Sequence, residues 1–451
     1  MKPMSFASIL AQAEYDGVAV SWRAGAVLTR RDLLADTAAM AAAVVAAGCR
    51  RGAVVSSDSY LFLVAVLGLT SAGATAVVPP NVQPGTLAGL AGAFDHLVSD
   101  QSDLPGPRIA LRHGAGGGKP IPCRPEAGLI EFFTSGSTGA PKHIEKSLLH
   151  LEREAAALDT QWPDLPPDAT AVATVPHQHI YGLAFKVVWP LLTGRPFAPH
   201  MEDYWESLID GLSPGAVVVS SPAHLTRLGG LPPVPPDRRP RMVLSAGAPL
   251  PQWAADDATR IFGIPIDEIY GSTETGAVAT RRRDCGNGCW RPLPGVATAR
   301  GDDGRLRLRA RHVDETSWVA TDDRVEVSSE GFTLLGRTDR VVKIEGKRVA
   351  LAEVEQALTA SPLVAGAAAI ALPGERAILA AVVIPSQAGQ AKLAEIGPFR
   401  LGRLLRRELA FRLEAAGLPR RWRFTPALPI GPMGKTHTAD LVALFEERKH
   451  G

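Results

Sequence analysis

The stretch Phe132-Phe133-Thr134-Ser135-Gly136-Ser137-Thr138-Gly139-Ala140-Pro141-Lys142 decides the reading of this 451-residue chain. An apolar run over residues 129–133 predicts a strand, which breaks into seven small or hydroxylated residues before Pro141 and Lys142. Glycines let the backbone approach a ligand, hydroxyls and free N–H groups suit phosphate oxygens, and lysine adds a compact positive charge. The combination predicts a mobile, phosphate-cradling loop rather than a Ser/Gly-rich surface turn. Two neighbouring loop types are excluded. A Walker-type loop ends in Gly-Lys-Ser/Thr, whereas here Pro141 precedes Lys142 and His143 follows. A nucleophile elbow needs glycine two residues before its serine, and Ser137 has Ser135 there.

Composition bounds what can be built around that loop. Hydrophobic residues make up 46% of the chain, enough for sizeable cores, and the length predicts roughly two or three domains. A formal charge of +2 argues for neither a nucleic-acid partner nor an acidic surface. Cys49, Cys123, Cys285 and Cys289 are too few and too scattered for a disulfide framework. The Cys285–Cys289 loop lacks a second cysteine pair for a metal, so a free-thiol turn is expected. Residues 1–16 carry acidic groups and no long apolar core, unlike a secretory signal. Residues 61–80 are uncharged and long enough to span a bilayer. Their Gly68, Thr70, Ser71, Gly73 and Thr75, and the Pro79-Pro80 end, fit a buried helix closed by Gly73 and a short strand instead. No membrane span is expected, and a soluble, cytoplasmic protein is.

Helical and strand patterns alternate from residue 30 to 100. Helices are expected over residues 31–47, ending at Gly48, over 60–72, capped by Asp58 or Ser59, and over 86–94; strands over 53–56 and 74–78. That alternation predicts an α/β layer with a parallel sheet. Residues 106–125 read as a glycine-rich loop, and 147–158 as a helix with Leu148, Leu151 and Ala155 on one face. Strands follow at 170–175, 217–220, 242–245, 266–270 and 305–309. Strands at 364–371 and 377–384, with helices at 351–360 and 399–415, suggest a small α+β domain.

Chemistry-bearing segments follow several of these strands. Pro176-His177-Gln178-His179-Ile180-Tyr181-Gly182 comes after one, and two histidines there are usually structural. Ala246-Gly247-Ala248-Pro249 is small enough for a flat ring to lie against its backbone. Tyr270-Gly271-Ser272-Thr273-Glu274-Thr275-Gly276 puts a carboxylate beside hydroxyls, which suits Mg²⁺ with substrate phosphates; alone, it could equally be a helix N-cap with an acidic first turn.

With the opening loop, these segments resemble the adenylate-forming superfamily of acyl- and aryl-CoA synthetases, peptide-synthetase adenylation domains and luciferases. The likeness extends through Thr321-Asp322-Asp323-Arg324, Gly336-Arg337-Thr338-Asp339-Arg340 with Lys343-Ile344-Glu345-Gly346, and Gly434-Lys435-Thr436, so that matched motifs run from about residue 130 to 437 in the family's order. The Gln178-His179-Ile180-Tyr181-Gly182 segment and the short chain also resemble small ligases of aryl-polyene and xanthomonadin-type pigment pathways.

The resemblance implies an α/β fold: a large N-terminal adenylation domain of layered sheets, residues 1–337, and a small mobile α+β C-terminal domain, residues 338–451, acting as a lid. It implies that Thr134, Ser135, Gly136, Ser137, Thr138, Gly139 and Lys142 hold the ATP phosphates, and that Glu274 binds Mg²⁺ while Thr273 reaches the α-phosphate. Gly247, Ala248, Pro249 and Tyr270 would flank adenine; Asp323 and Arg337 would bind ribose. His179 would line the acyl pocket, Asp339 act as hinge, Gly346 border the thiol channel, and Lys435 be the catalytic lysine. Asp322 departs from the family's glycine; if that position needs positive φ, Asp is among the few residues that tolerate it.

The implied reaction joins a small carboxylic acid to ATP, releasing pyrophosphate. The acyl-adenylate then passes to the phosphopantetheine thiol of CoA or an acyl carrier protein. An amine acceptor, or a nucleotide-binding regulator without turnover, are the alternatives. The presence of Lys142, Glu274, Asp323, Arg337 and Lys435 together argues against the regulator. Neutral candidates around the acyl pocket (His179, Phe185, Ser221, Ala246, Gly271) disfavour an amino acid substrate.

Overall fold

The computed structural model describes residues 3–11, 17–23, 25–104, 106–115, 122–135, 141–282, 288–337, 340–344, 347–372, 377–411, 413, 415–429, 436 and 438–446. The chain divides into two compact units: residues 1–297 with 309–317, and residues 298–308 with 318–451.

In the first unit a short helix, Phe6–Ala11, precedes an antiparallel pair, β1 (Ala19–Arg23) and β2 (Ala26–Thr29). A six-stranded sheet follows, built from β3 (Arg51–Val55), β4 (Thr75–Val78), β5 (His96–Ser99), β6 (Arg108–Ala110), β7 (Leu129–Ser135) and β8 (Pro141–Ser147) in the order β6-β5-β3-β4-β7-β8. All its pairings are parallel except β7 with β8. The second sheet comprises β9 (Ala171–Ala173), β10 (Val217–Ser220), β11 (Met242–Ser245), β12 (Asp267–Ser272), β13 (Gly276–Arg282) and β14 (Arg291–Pro292) in consecutive order. Strands β9 to β12 run parallel, and β13 turns back antiparallel on β12.

Local chemistry explains the helices between these strands. Thr29 and Asp32 form a reciprocal capping box at the start of Arg30–Ala47, and Gly48 ends that helix in the left-handed conformation. Asp58 accepts the Tyr60 and Leu61 N–H groups and starts Ser59–Ser71. Every residue of Ser59–Ser71 is buried, so the long apolar run is an interior helix followed by β4. Among the described residues no helix is long and apolar enough to cross a membrane.

The second unit contains a four-stranded sheet of β15 (Ala297–Arg300), β16 (Arg305–Ala310), β17 (Asp314–Ser328) and β18 (Gly331–Arg337), whose first and third strands begin in the other unit. Beyond it lie the ribbon β19 (Val341–Ile344) with β20 (Lys347–Ala350), and a sheet of β21 (Val364–Leu372), β22 (Ile378–Pro385) and β23 (Arg421–Phe424). Strand β22 is buried on both faces. Leu379, Ala381 and Val383 pack with Leu401, Leu405 and Leu409, while Ala380 and Val382 pack with Leu441 and Phe445. The molecule is thus a layered α/β fold with a larger N-terminal and a smaller C-terminal part.

Three local readings are corrected. The helix expected over 86–94 is shorter, Pro84–Gly89, since glycines at 89 and 92 are poor helix formers. The loop over 106–125 contains the three-residue edge strand β6. The basic helix belongs to a longer element, Gln387–Leu409, broken by Gly397 at φ +78° just before Pro398.

Candidate functional site

In the first unit, three of the singled-out segments leave the C-terminal ends of parallel strands. Residues 176–182 follow β9, 246–249 follow β11, and 270–276 continue β12 into β13. That edge is where open α/β sheets present loops to ligands. The opening stretch lies at the same end of the other sheet: β7 runs parallel to β4, and β8 returns antiparallel beside it. Thr134 faces Lys142 and Ser135 faces Pro141 in the register of that pair. Gly136, Ser137, Thr138 and Gly139 lie outside the described residues, as do the side chains of Thr134, Ser135 and Lys142. Strand β8 itself was not foreseen. It tolerates Pro141 because it is the sheet's edge.

The Thr273-Glu274 segment is a hairpin turn, not a helix N-terminus. Ser272 and Thr275 close it reciprocally: Ser272 N–H donates to Thr275 Oγ1 at 3.0 Å, and Thr275 N–H to Ser272 Oγ at 3.2 Å. Thr275 Oγ1 also donates to the Gly276 carbonyl at 2.9 Å. These bonds use the buried Thr275 and leave the Glu274 side chain at the exposed tip. Two glycines are obligatory here. A Cβ on Gly271 would strike the Gly276 carbonyl, and Gly276 sits at φ +63° against the Glu154 carboxylate.

Three buried side chains grip this turn from outside the hairpin. Lys146 Nζ donates to the Glu274 carbonyl at 2.6 Å. Glu154 Oε1 accepts the Ala277 N–H at 2.8 Å. His312 Nε2 lies 2.8 Å from the Ala277 carbonyl and must donate to it, since a carbonyl only accepts. Burial holds the Lys146 ammonium below its ordinary pKa, opposed by the Glu154 and Glu274 carboxylates. Sequence reasoning passed over all three residues. A signal existed for two: Lys146 shares the buried face of β8 with Ile144, and Glu154 lies on the Leu151–Ala155–Leu158 stripe of helix Leu148–Gln161.

Tyr270 ends the buried run of β12 half-exposed, its ring 5.7 Å from that of Trp290. Arg281 covers the Trp290 ring at 4.4 Å and forks onto Glu268 at 2.9 and 3.1 Å. Gly247, at φ +95°, Ala248 and Pro249 are exposed and small.

His177 is structural, whereas His179 is half-buried at the N-cap position of helix Ile180–Gly182. His177 Nε2 donates to the Ser56 carbonyl at 3.0 Å, so Nδ1 is the acceptor for the Ser59 hydroxyl at 2.9 Å. Ser59 Oγ in turn accepts from Lys186 Nζ at 2.8 Å, and that ammonium also donates to the His200 carbonyl at 2.9 Å. Burial lowers the Lys186 pKa to about 7 and the His177 pKa to about 3. Lys186 belongs to the π-helical turn Leu183–Val188, next to the buried Phe185.

In the second unit, Asp323 on β17 lies directly opposite Arg337 on β18. Asp322 sits within β17 and approaches two guanidiniums, Arg337 at 3.5 Å and Arg305 at 3.7 Å. Gly336, at φ +114°, lets the strand approach helix Leu351–Thr359, where a Cβ would come 2.8 Å from that of Ala352. Asp339, Gly346 and Lys435 lie outside the described residues, as does Cys285; Cys289 is partly buried.

Residues 93–312 match the AMP-binding enzyme family. A 4-coumarate–CoA ligase of Cereibacter sphaeroides is 30% identical over 307 residues, 67% of this chain and 69% of that protein. The chain belongs to the AMP-binding enzyme family. A second 4-coumarate–CoA ligase, from Rhodobacter capsulatus, is 29% identical over 324 residues, 71% of this chain and 78% of that one. The ATP-bound structure of MatB from Rhodopseudomonas palustris shares the fold with a TM-score of 0.79 at 21% identity, over 98% of this chain and 99% of that one. This AMP-binding enzyme is an ATP-dependent, adenylate-forming ligase.

Proposed function

We propose that this ligase converts an aryl or acyl carboxylic acid, aryl before fatty, to its adenylate and passes it to the phosphopantetheine thiol of CoA or an acyl carrier protein. The observation that carries the reading is the turn at Thr273-Glu274, presented at the C-terminal edge of the parallel strands from which segments 176–182 and 246–249 also emerge. The two 4-coumarate–CoA ligase relatives favour an aryl acid and a thiol acceptor.

A carboxylate attacking the α-phosphate meets anionic repulsion, so catalysis is mostly positioning and charge neutralisation. In this reading the N–H groups and hydroxyls of residues 134–139, with Lys142, hold the departing phosphates, and Thr273 orients the α-phosphate. Glu274 suits Mg²⁺: its carboxylate is at an exposed turn among hydroxyl oxygens, the hard donor set that ion takes. When bound, Mg²⁺ supplies positive charge to the phosphates. Gly247, Ala248, Pro249 and Tyr270 receive adenine, and His179 borders the acid.

For the C-terminal part the reading rests on the resemblance. It keeps the functional division between residues 337 and 338, with Asp323 and Arg337 for ribose, Asp339 as hinge, Gly346 at the thiol's entry and Lys435 on the nucleophilic acid and phosphate. A mixed anhydride hydrolyses readily, so excluding water during the first half-reaction is useful.

The test is acid-dependent ATP–pyrophosphate exchange with aryl, fatty and amino acids, followed by CoA or a phosphopantetheinylated carrier. ATP binding without exchange for any acid overturns the reading. Hydroxamate or amide formation without thioester points to an amine acceptor instead. Lys435→Ala is expected to abolish adenylation while sparing thioester formation from supplied acyl-adenylate; loss of both half-reactions contradicts its assigned role.

A further inference from the structure

Lys146, Glu154 and His312 take no part in the steps above, yet they are among the most deeply buried charged or titratable groups of the first unit, at 5%, 3% and 3% exposure. Burying an ammonium is costly, and apolar replacements of buried ion pairs are often no less stable. A bond to a single backbone carbonyl could be made by a neutral donor. What the arrangement achieves is connection. Lys146 lies on β8, four residues beyond Lys142, and Glu154 lies on the helix that Ser147 caps directly after β8. His312 comes from residues 309–317, the excursion that returns to the first unit. Together they take the Glu274 carbonyl and both backbone polar groups of Ala277. Gly276 has room only for hydrogen because the Glu154 carboxylate fills the space a Cβ would need.

We propose that Lys146, charge-balanced by Glu154, is a positioning residue for adenylate formation: it fixes the Glu274 turn against the strand that leaves the phosphate-loop segment. Strand β8 and the Glu274 turn are thereby held at one spacing. A buried lysine suits the task because its long stem crosses the gap between β8 and the turn, while the Glu154 and Glu274 carboxylates favour its charged form. This rests on the reading that Glu274 holds the metal.

The experiment is a double-mutant cycle of Lys146→Met and Glu274→Gln in the full-length protein. Exchange is measured against Mg²⁺ concentration at saturating acid, with thermal melts alongside. Lys146→Met is expected to lower kcat and raise the half-saturating Mg²⁺ concentration by about tenfold to a hundredfold, the scale of a misplacement near 1 Å, with the acid KM unchanged. In the Glu274→Gln background it is expected to add nothing to the residual rate, because both changes act through one carboxylate. Glu154→Gln keeps an acceptor for the Ala277 N–H and removes the balancing charge, so it is expected to shift Mg²⁺ dependence the same way by less. It carries the cycle if Lys146→Met does not fold. An unchanged Mg²⁺ dependence in a folded variant, or losses that add in the double mutant, overturns the proposal. Normal exchange by Glu274→Gln removes the metal reading and this one with it. An impaired Glu274→Gln beside an unimpaired Lys146→Met removes this one alone.

Discussion

Two antiparallel hairpins carry much of the nucleotide chemistry proposed for this ligase, and they are built on opposite plans. In β12–β13 the turn with Thr273 and Glu274 is held by buried side chains from β8, from helix Leu148–Gln161 and from residue 312. In β17–β18 the facing pair Asp323 and Arg337 sits beside exposed ion pairs, with the Asp322 carboxylate about half-exposed. Both hairpins have a register irregularity, between Tyr270 and Gly271 in one and between Arg324 and Val325 in the other. The different supports set how much each hairpin yields to substitution: the first moves only if the interior moves, whereas the second is adjustable from solvent.

The largest break in that comparison is Glu274→Gln. Removing one preorganised electrostatic group from a phosphoryl site typically costs about 10²–10³ in kcat, and that loss is expected in acid-dependent exchange. The Lys146 bond goes to the Glu274 backbone carbonyl, which the substitution keeps, so the turn is expected to stay in place with only a small fall in melting temperature. A large fall in melting temperature would show that the side chain supports the turn as well.

Gly276→Ala is the converse, a structural change with catalysis following. The left-handed backbone and the Glu154 carboxylate both resist a methyl group, and about 2–4 kcal/mol of stability is expected to be lost by urea titration. An equivalent change in the second hairpin, Asp323→Asn, is expected to leave stability within about 0.5 kcal/mol while raising the KM for ATP.

The β9 edge follows the buried plan too, and there pH is the probe. Folding keeps His177 neutral: its pKa falls from 6.5 to about 3 through burial, with Lys186 adding in the same direction. The groups facing it are the Ser59 hydroxyl, the Ser56 carbonyl, the Phe62 ring, the Lys186 ammonium, and more distantly His179 and His200. Between these two pKa values the unfolded chain binds the extra proton. Above pH 6.5 the residue costs nothing; as pH falls from 6.5 towards 3, stability drops by up to about 1.4 kcal/mol per pH unit. Urea titrations from pH 7 to 4.5 check this, with His177→Gln expected to flatten the slope by that amount. An unchanged slope would move the acid sensitivity elsewhere.

Legibility in the sequence followed the same division. Helix Arg30–Ala47, helix Ser59–Ser71 and strands β10 and β11 were readable because caps, glycines and apolar runs act locally. The three loops after β9, β11 and β12 were readable because small residues, hydroxyls and a carboxylate cluster within a few positions. Strand β8 was hidden by Pro141 and by its edge position, and β6 by its length of three residues. The grip on the Glu274 turn was hidden for a different reason: Lys146, Glu154, Glu274 and His312 are brought together only by the fold, Lys146 and His312 lying 166 positions apart in the chain. A charged residue on an apolar face was the one local trace it left.

The smallest effect sharpens the comparison most. Asp322 stands where the resemblance leads one to expect glycine, and its carboxylate approaches Arg305 and Arg337 at 3.7 and 3.5 Å, with side-chain exposures of 52%, 36% and 45% respectively. Exposed pairs at such distances contribute between zero and about 1 kcal/mol. Asp322→Asn keeps the strand backbone and removes only the charge, so stability is expected to shift by less than about 0.5 kcal/mol. If Arg337 is the ribose contact, Asp322 both competes for its guanidinium and repels an anionic nucleotide. Its removal should therefore lower the KM for ATP, by less than about threefold, and raising the salt from low to physiological concentration should erase the difference by screening. A tenfold change, or one indifferent to salt, would mean that Asp322 is part of the nucleotide site and that the second hairpin is as tightly specified as the first.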